Sequence, residues 1–186
     1  IEGVTIYNSQ SSCIAGVKSS NVRIRNVKLS NFNDHGIYFS TGSGDLDIEG
    51  VHFYGDCTGS GYAIQLRNGI KNVSLSFVTQ QGNEISSGTQ FANILAISND
   101  DKGFDEFYNR CESLTFKDFY LTIDNSQLIA VVNRAPSGVI KDVNFKRFNI
   151  KGGGNSNTIS MAQGNFEDYG IEDLNYEDCT FDGFNF

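Results

Sequence analysis

The stretch Ser98-Asn-Asp-Asp-Lys-Gly-Phe-Asp-Glu-Phe-Tyr-Asn-Arg110 gathers the carboxylates of Asp100, Asp101, Asp105 and Glu106 among the rings of Phe104, Phe107 and Tyr108. Two carboxylates about 5–10 Å apart can divide the acid and the base or nucleophile roles of glycosidic cleavage, and flat rings stack on the apolar faces of sugars. The same composition also describes a solvated acidic loop whose rings fold against the rest of the molecule. Hard oxygen donors suit calcium too, but no EF-hand spacing is present, and neither a metal nor a cofactor is expected.

A second group is spread more widely. Asp34 and His35 precede a short apolar run, and a neutral His beside an Asp can act as the base in polysaccharide β-elimination or can be a hydrogen-bonded structural residue. Arg67 and Arg134 each follow such a run, and Tyr38 and Gln65 alternate with its apolar positions, so these four are expected sugar contacts or ordinary surface residues.

The elements that must hold these residues are read from a nine-residue pattern. Its best copies are Asn21–Leu29, Asp45–Phe53, Ser113–Leu121, Asp142–Ile150 and Asp173–Phe181, with weaker copies starting at Gly3 and Asn72. Successive starts lie 18 to 41 residues apart. Positions two and four are apolar, the period of a strand with one buried face. Position seven is apolar again, and that odd offset demands a bend, because a straight strand would send positions four and seven to opposite faces. A second short apolar run follows most copies: Gly36–Phe39, Ala63–Leu66, Ile94–Ile97, Leu128–Val131 and Thr158–Met161. The expectation is an all-β fold, a parallel β-helix (solenoid) of about seven coils forming a single domain over residues 1–186, with 98–111 projecting as a loop from the longest repeat. Asn21, Asn26, Asn33, Asn72 and Asn125 fall at corners, where left-handed backbone or side-chain bonding to turns is needed.

Composition sets the outer limits. The 186 residues include 20 Gly, 15 Phe and 8 Tyr against one Pro and no Trp, which favours short strands and tight turns over helices. With 14 Lys plus Arg against 22 Asp plus Glu the net charge is −8, which opposes a phosphate backbone or an anionic membrane but is indifferent to sugars. No apolar run approaches a membrane span. Cys13, Cys57, Cys111 and Cys179 lack any paired zinc spacing and are expected as buried free thiols. Ile1 opens the chain inside a strand-like pattern without a secretion signal, so a fragment of a longer protein is expected.

Ser11-Ser-Cys-Ile-Ala-Gly16 and His35-Gly-Ile-Tyr-Phe39 resemble, in order and spacing, two neighbouring coils of polygalacturonases and related pectin-lyase-like proteins, which read Asp-Asp-Cys-Ile-Ala-Ile and Gly-His-Gly-Ile. The resemblance implies a right-handed parallel β-helix. It does not bring the family's carboxylate pair, since Ser11 and Ser12 stand at those positions, and a hydroxyl cannot replace either acid or base. Gly61-Tyr-Ala-Ile-Gln65 likewise stands where the family's Arg-Ile-Lys would fall. The irregular coil spacing, rich in Asn, Gly and aromatics, is similar to phage tailspikes and capsule depolymerases. That likeness implies a polysaccharide partner, a homotrimer in the full-length protein, and a place on a virion tail or cell surface. Two readings stay open: a depolymerase, hydrolase or lyase, using Asp100, Asp101, Asp105, Glu106 or His35 with Phe104, Tyr108, Arg67, Arg134, Tyr38 and Gln65 as contacts, or a non-catalytic shaft or glycan-binding adhesin module.

Overall fold

The computed structural model describes residues 1–54, 62–81, 93–99, 109–124, 127–133, 138–153, 159–163 and 170–182. Among them the chain is built from strands: β1 (Thr5–Ser9), β2 (Ile14–Val17), β3 (Ser20–Phe32), β4 (Ile37–Ser40), β5 (Gly44–Tyr54), β6 (Ile64–Arg67), β7 (Lys71–Gln81), β8 (Asn93–Asn99), β9 (Arg110–Asp124), β10 (Gln127–Asn133), β11 (Val139–Gly153), β12 (Ile159–Gln163), β13 (Leu174–Glu177) and β14 (Thr180–Asp182). The described residues contain no α-helix.

Every named pairing is parallel, and the chain alternates between two sheets. One runs β1-β3-β5-β7-β9-β11-β13, with β14 also on β11, and the other runs β12-β10-β8-β6-β4-β2. Register follows the nine-residue pattern. Position four forms one file, Ile24, Ile48, Leu75, Phe116 and Phe145, each opposite the next and each fully buried. Position two forms another, Val22, Leu46, Val73, Leu114, Val143 and Leu174. Because like positions touch, like side chains stack: Phe116 lies 5.6 Å from Phe145 and Phe119 lies 4.3 Å from Phe148, both pairs near parallel. A one-residue slip would turn every file outward, so the core itself fixes the register.

The bend demanded between positions four and seven has a backbone cause. In all seven copies positions one and six take positive φ: Gly3 and Asn8, Asn21 and Asn26, Asp45 and Gly50, Asn72 and Phe77, Ser113 and Asp118, Asp142 and Arg147, Asp173 and Asp178. A single left-handed residue re-aims the strand, which lets position seven return to the core (Val27, Val51, Val78, Phe119 and Phe148 are buried). Most of these positions hold Asn, Asp or Gly, the residues that tolerate that conformation. At Gly50 the requirement is double, since φ is +71° and an added Cβ would meet Asn26 Oδ1 at 2.6 Å. Asn33 is not among the left-handed residues; its amide donates to Gln10 Oε1 at 3.2 Å, and Asn125 lies outside the described residues.

Cysteine burial differs from the expectation. Cys111 is fully buried, but Cys13 and Cys179 are only half-buried, because they sit beside β2 and β13, the strands that end the two sheets among the described residues. Cys57 lies outside the described residues.

Candidate functional site

Strands β4 and β6 and the residues just before β4 carry the described candidates. Their inward residues, Ile37 and Phe39 opposite Ile64 and Leu66, are buried, so Tyr38 and Gln65 between them face the other side. That outward file continues as Ala15, Tyr38, Gln65 and Ala96, with Val17, Ser40, Arg67 and Ser98 beside it. The middle of this outward surface is sheltered: Ser40, Gln65, Ala96 and Ser98 are each at most 9% exposed. Arg67 is the last residue of β6 rather than a residue beyond it.

His35 sits in the turn entering β4. Its ring stacks near parallel on Tyr38 at 5.1 Å and on Tyr62 at 5.4 Å. Tyr62 occupies the equivalent place before β6, since the Gly36 N–H donates to the Tyr62 carbonyl at 3.1 Å and the Ile37 N–H to Ala63 at 2.9 Å. Gly36 makes this approach possible, because a Cβ there would meet the Ala63 carbonyl at 2.6 Å and the Phe53 ring at 2.7 Å. On the other side the Cys13 N–H donates to the His35 carbonyl at 2.9 Å, bringing Ser11-Ser12 alongside Asp34-His35.

Both ring nitrogens of His35 are engaged. The Tyr62 N–H donates to Nδ1 at 3.1 Å, so Nδ1 carries a lone pair and the proton resides on Nε2, 3.1 Å from Asp34 Oδ1. Burial pushes the imidazole below its ordinary value, the Asp34 carboxylate opposes this, and the Arg67 guanidinium adds to it. The ring is therefore neutral at pH 7, yet it has no free lone pair with which to take a substrate proton. In this arrangement it holds two tyrosines and a turn together.

The structure thus brings together His35, Tyr38, Gln65 and Arg67, with Asp34 at the edge. Asp100, Asp101, Phe104, Asp105, Glu106, Tyr108 and Arg134 lie outside the described residues. Two features were missed in the sequence. Tyr62 is one, although its place before Ala63–Leu66 mirrors that of His35 before Ile37–Phe39. The other is a set of buried amides, Asn68, Asn99 and Asn133, each two residues beyond the last inward residue of its strand. Asn99 Nδ2 donates to the carbonyls of Asn109 (2.7 Å) and Val139 (3.1 Å), and its Oδ1 accepts from Cys111 Sγ (3.1 Å) and the Gly69 N–H (3.5 Å). Asn133 Nδ2 donates to Gly138 (2.6 Å) and Gly170 (3.5 Å). Asn99 and Asn133 thus fasten the ends of β8 and β10 to backbone carbonyls of the residues next to the neighbouring strands. The recurring spacing, Leu66-Arg-Asn68, Ile97-Ser-Asn99 and Val131-Val-Asn133, was the available signal.

The described residues form an all-β, parallel-stranded chain with a ring-and-polar ledge on the smaller sheet. No protein-family model matches the sequence, and no curated protein matches it. Among solved structures the chain is similar to the "Crystal structure of Agl-KA catalytic domain", at a TM-score of 0.40 and 15% identity over 94% of this chain and 41% of that one. A likeness this loose, to a chain more than twice as long, says nothing about chemistry.

Proposed function

We propose that the chain is a right-handed parallel β-helix of about seven coils that binds a bacterial surface polysaccharide along the outer side of β4 and β6 and cleaves it, in the manner of a phage tailspike-type depolymerase. The helix reading is supported by strands that alternate between two wholly parallel sheets and by left-handed corners repeated in every copy. One observation carries the ligand reading: three near-parallel rings, Tyr38, His35 and Tyr62, stand beside Asp34, Gln65 and Arg67 at the smaller sheet. The tyrosines at the two ends of this stack are the rings that would give a sugar its stacking face, and amide, carboxylate and guanidinium groups give it directed hydrogen bonds.

Cleavage is assigned to the carboxylates of Asp100, Asp101, Asp105 and Glu106, with Phe104, Tyr108 and Arg134 as further contacts. This is supported by chain continuity, since Asp100 follows Asn99 directly and Ser98 is the register partner of Arg67. In the full-length protein, on a virion tail or cell surface, a homotrimer would cover the exposed strand edges. A second reading, binding without cleavage, is favoured by the full engagement of His35 and by the hydroxyls at Ser11 and Ser12.

The test is incubation of the protein with capsular and O-antigen polysaccharides, following new reducing ends and the absorbance of 4,5-unsaturated products. Reducing ends without absorbance mean hydrolysis, absorbance means elimination, and binding without either means a recognition module. Tyr38→Ala should weaken binding by about tenfold, the equivalent of about 1.4 kcal/mol for a lost stacking ring. Binding that Tyr38→Ala leaves unchanged would remove the ledge from the account.

A further inference from the structure

The ring of His35 is held by a set of contacts that only its neutral form can satisfy. It is 8% exposed, and Nδ1 is the acceptor for a backbone donor, the Tyr62 N–H at 3.1 Å. Nε2 has the Asp34 carboxylate 3.1 Å away, and the faces are taken by Tyr38 and Tyr62. A protonated imidazole carries an N–H on both nitrogens, so no ring orientation leaves an acceptor for Tyr62. Flipping the ring exchanges one donor for another. Donor would face donor across a sheltered contact, which costs the full value of the lost bond together with desolvation of both groups.

We propose that His35 is a pH-operated latch: on gaining a proton it loses the Tyr62 N–H bond and releases Tyr62 from the ring stack, loosening the entry to β6. The latch goes beyond the binding reading and does not depend on what the rings bind. Its reach is local, because the ladder resumes at once through the Gly36 N–H to the Tyr62 carbonyl and the Ile37 N–H to Ala63. The fold remains, while the far end of the stack becomes free to turn.

Among the described residues, the titratable and charged groups facing the ring are Asp34 and Tyr38 from its own segment and Tyr62 and Arg67 from the segment of β6. Asp34 attracts the charged ring and so would hold a released imidazolium on the β4 side. Arg67 repels it. Burial and Arg67 together outweigh Asp34, so the ring charges only on the acid side of the ordinary imidazole midpoint, about pH 6.5. The sign follows from linkage: the unfolded chain takes up the proton near pH 6.5 while the folded ring resists it. Stability from this site is complete above that pH and falls as the pH drops toward the folded midpoint.

The test uses the intact chain and needs no ligand. Imidazole nitrogen spectra and the exchange protection of the Tyr62 amide are followed from pH 7.5 to 4.5. The sequence has two histidines, so the His35→Asn spectrum identifies the His35 signals by their loss. At neutral pH His35 should show a proton on Nε2 and none on Nδ1. As Nδ1 gains a proton, the Tyr62 protection factor should fall at least about tenfold with the same midpoint, while Ile37 stays protected. Asn at position 35 keeps an acceptor near the Nδ1 position and does not titrate, so His35→Asn should retain Tyr62 protection down to pH 4.5. If that variant does not fold, the wild-type midpoints decide. The latch is overturned if His35 charges while Tyr62 keeps its protection, if His35 stays neutral to pH 4.5, or if folded His35→Asn shows the same acid loss.

Discussion

Replacing Asn99 with alanine removes the amide that ties the end of β8 to Asn109 just before β9, to the start of β11 at Val139 and to Gly69 after β6. Asn99 is fully buried, and its side chain serves four partners: the carbonyls of Asn109 and Val139, the Cys111 thiol and the Gly69 N–H. The thiol is a weak donor and the Gly69 contact is long at 3.5 Å, so the two carbonyl bonds at 2.7 and 3.1 Å dominate. Each intramolecular bond contributes about 1 kcal/mol net, and a buried backbone group left without a partner costs about 1–3 kcal/mol. Water entering the space offsets part of the loss, which leaves an expected destabilisation of about 2–4 kcal/mol. Urea titration followed by tyrosine fluorescence and far-UV circular dichroism measures it. With a slope of about 2 kcal/mol per molar, the midpoint should fall by about 1–2 M with both signals still coincident. A change below about 0.5 kcal/mol would show that the amide fills space and fastens nothing.

Gly36→Ala should destabilise by about 1–3 kcal/mol, because the new methyl meets the Ala63 carbonyl at 2.6 Å, and thermal unfolding measures it; a neutral result would mean that the strands are not this close. Phe77 is 47% exposed at φ +57°, so Phe77→Asn should stabilise by about 0.5–1 kcal/mol in the same assay, and a loss would show that the ring has a partner. The Arg147 guanidinium, bonded to Asp118 at 2.6 and 2.8 Å, holds that carboxyl below the ordinary aspartate range. The unfolded aspartate titrates near pH 4, so the stability Asp118 contributes is complete above that pH and is lost as the pH falls toward the folded value. Asp118→Asn should flatten the acid limb of the stability profile, and an unchanged limb would remove the pair from the account.

The files of core residues were legible because parallel stacking forces like positions to be alike: Ile24, Ile48, Leu75 and Phe116 declare themselves by position alone. The bend was legible from the odd offset to Val27, Val51 and Phe119. Its left-handed residues were partly legible, since Asn26, Gly50 and Asp118 advertise that backbone, whereas Phe77 and Arg147 are held in it by the strands on either side. The buried amides were missed because asparagine reads as a turn residue, and nothing local to Asn99 reveals that its side chain points inward to carbonyls of other segments. Tyr62 was missed for a related reason. Its pairing with His35 spans two strands and follows only once Ile37 is set opposite Ile64.

The most direct test of the ligand ledge is a map of the residues that a bound oligosaccharide touches. Amide and side-chain chemical shifts recorded while titrating a fragment of a polysaccharide the protein retains should change at Asp34, His35, Tyr38, Tyr62, Gln65 and Arg67, with the larger sheet silent. Shifts confined instead to the exposed side of that larger sheet, around Phe77 and Tyr120, would contradict the account.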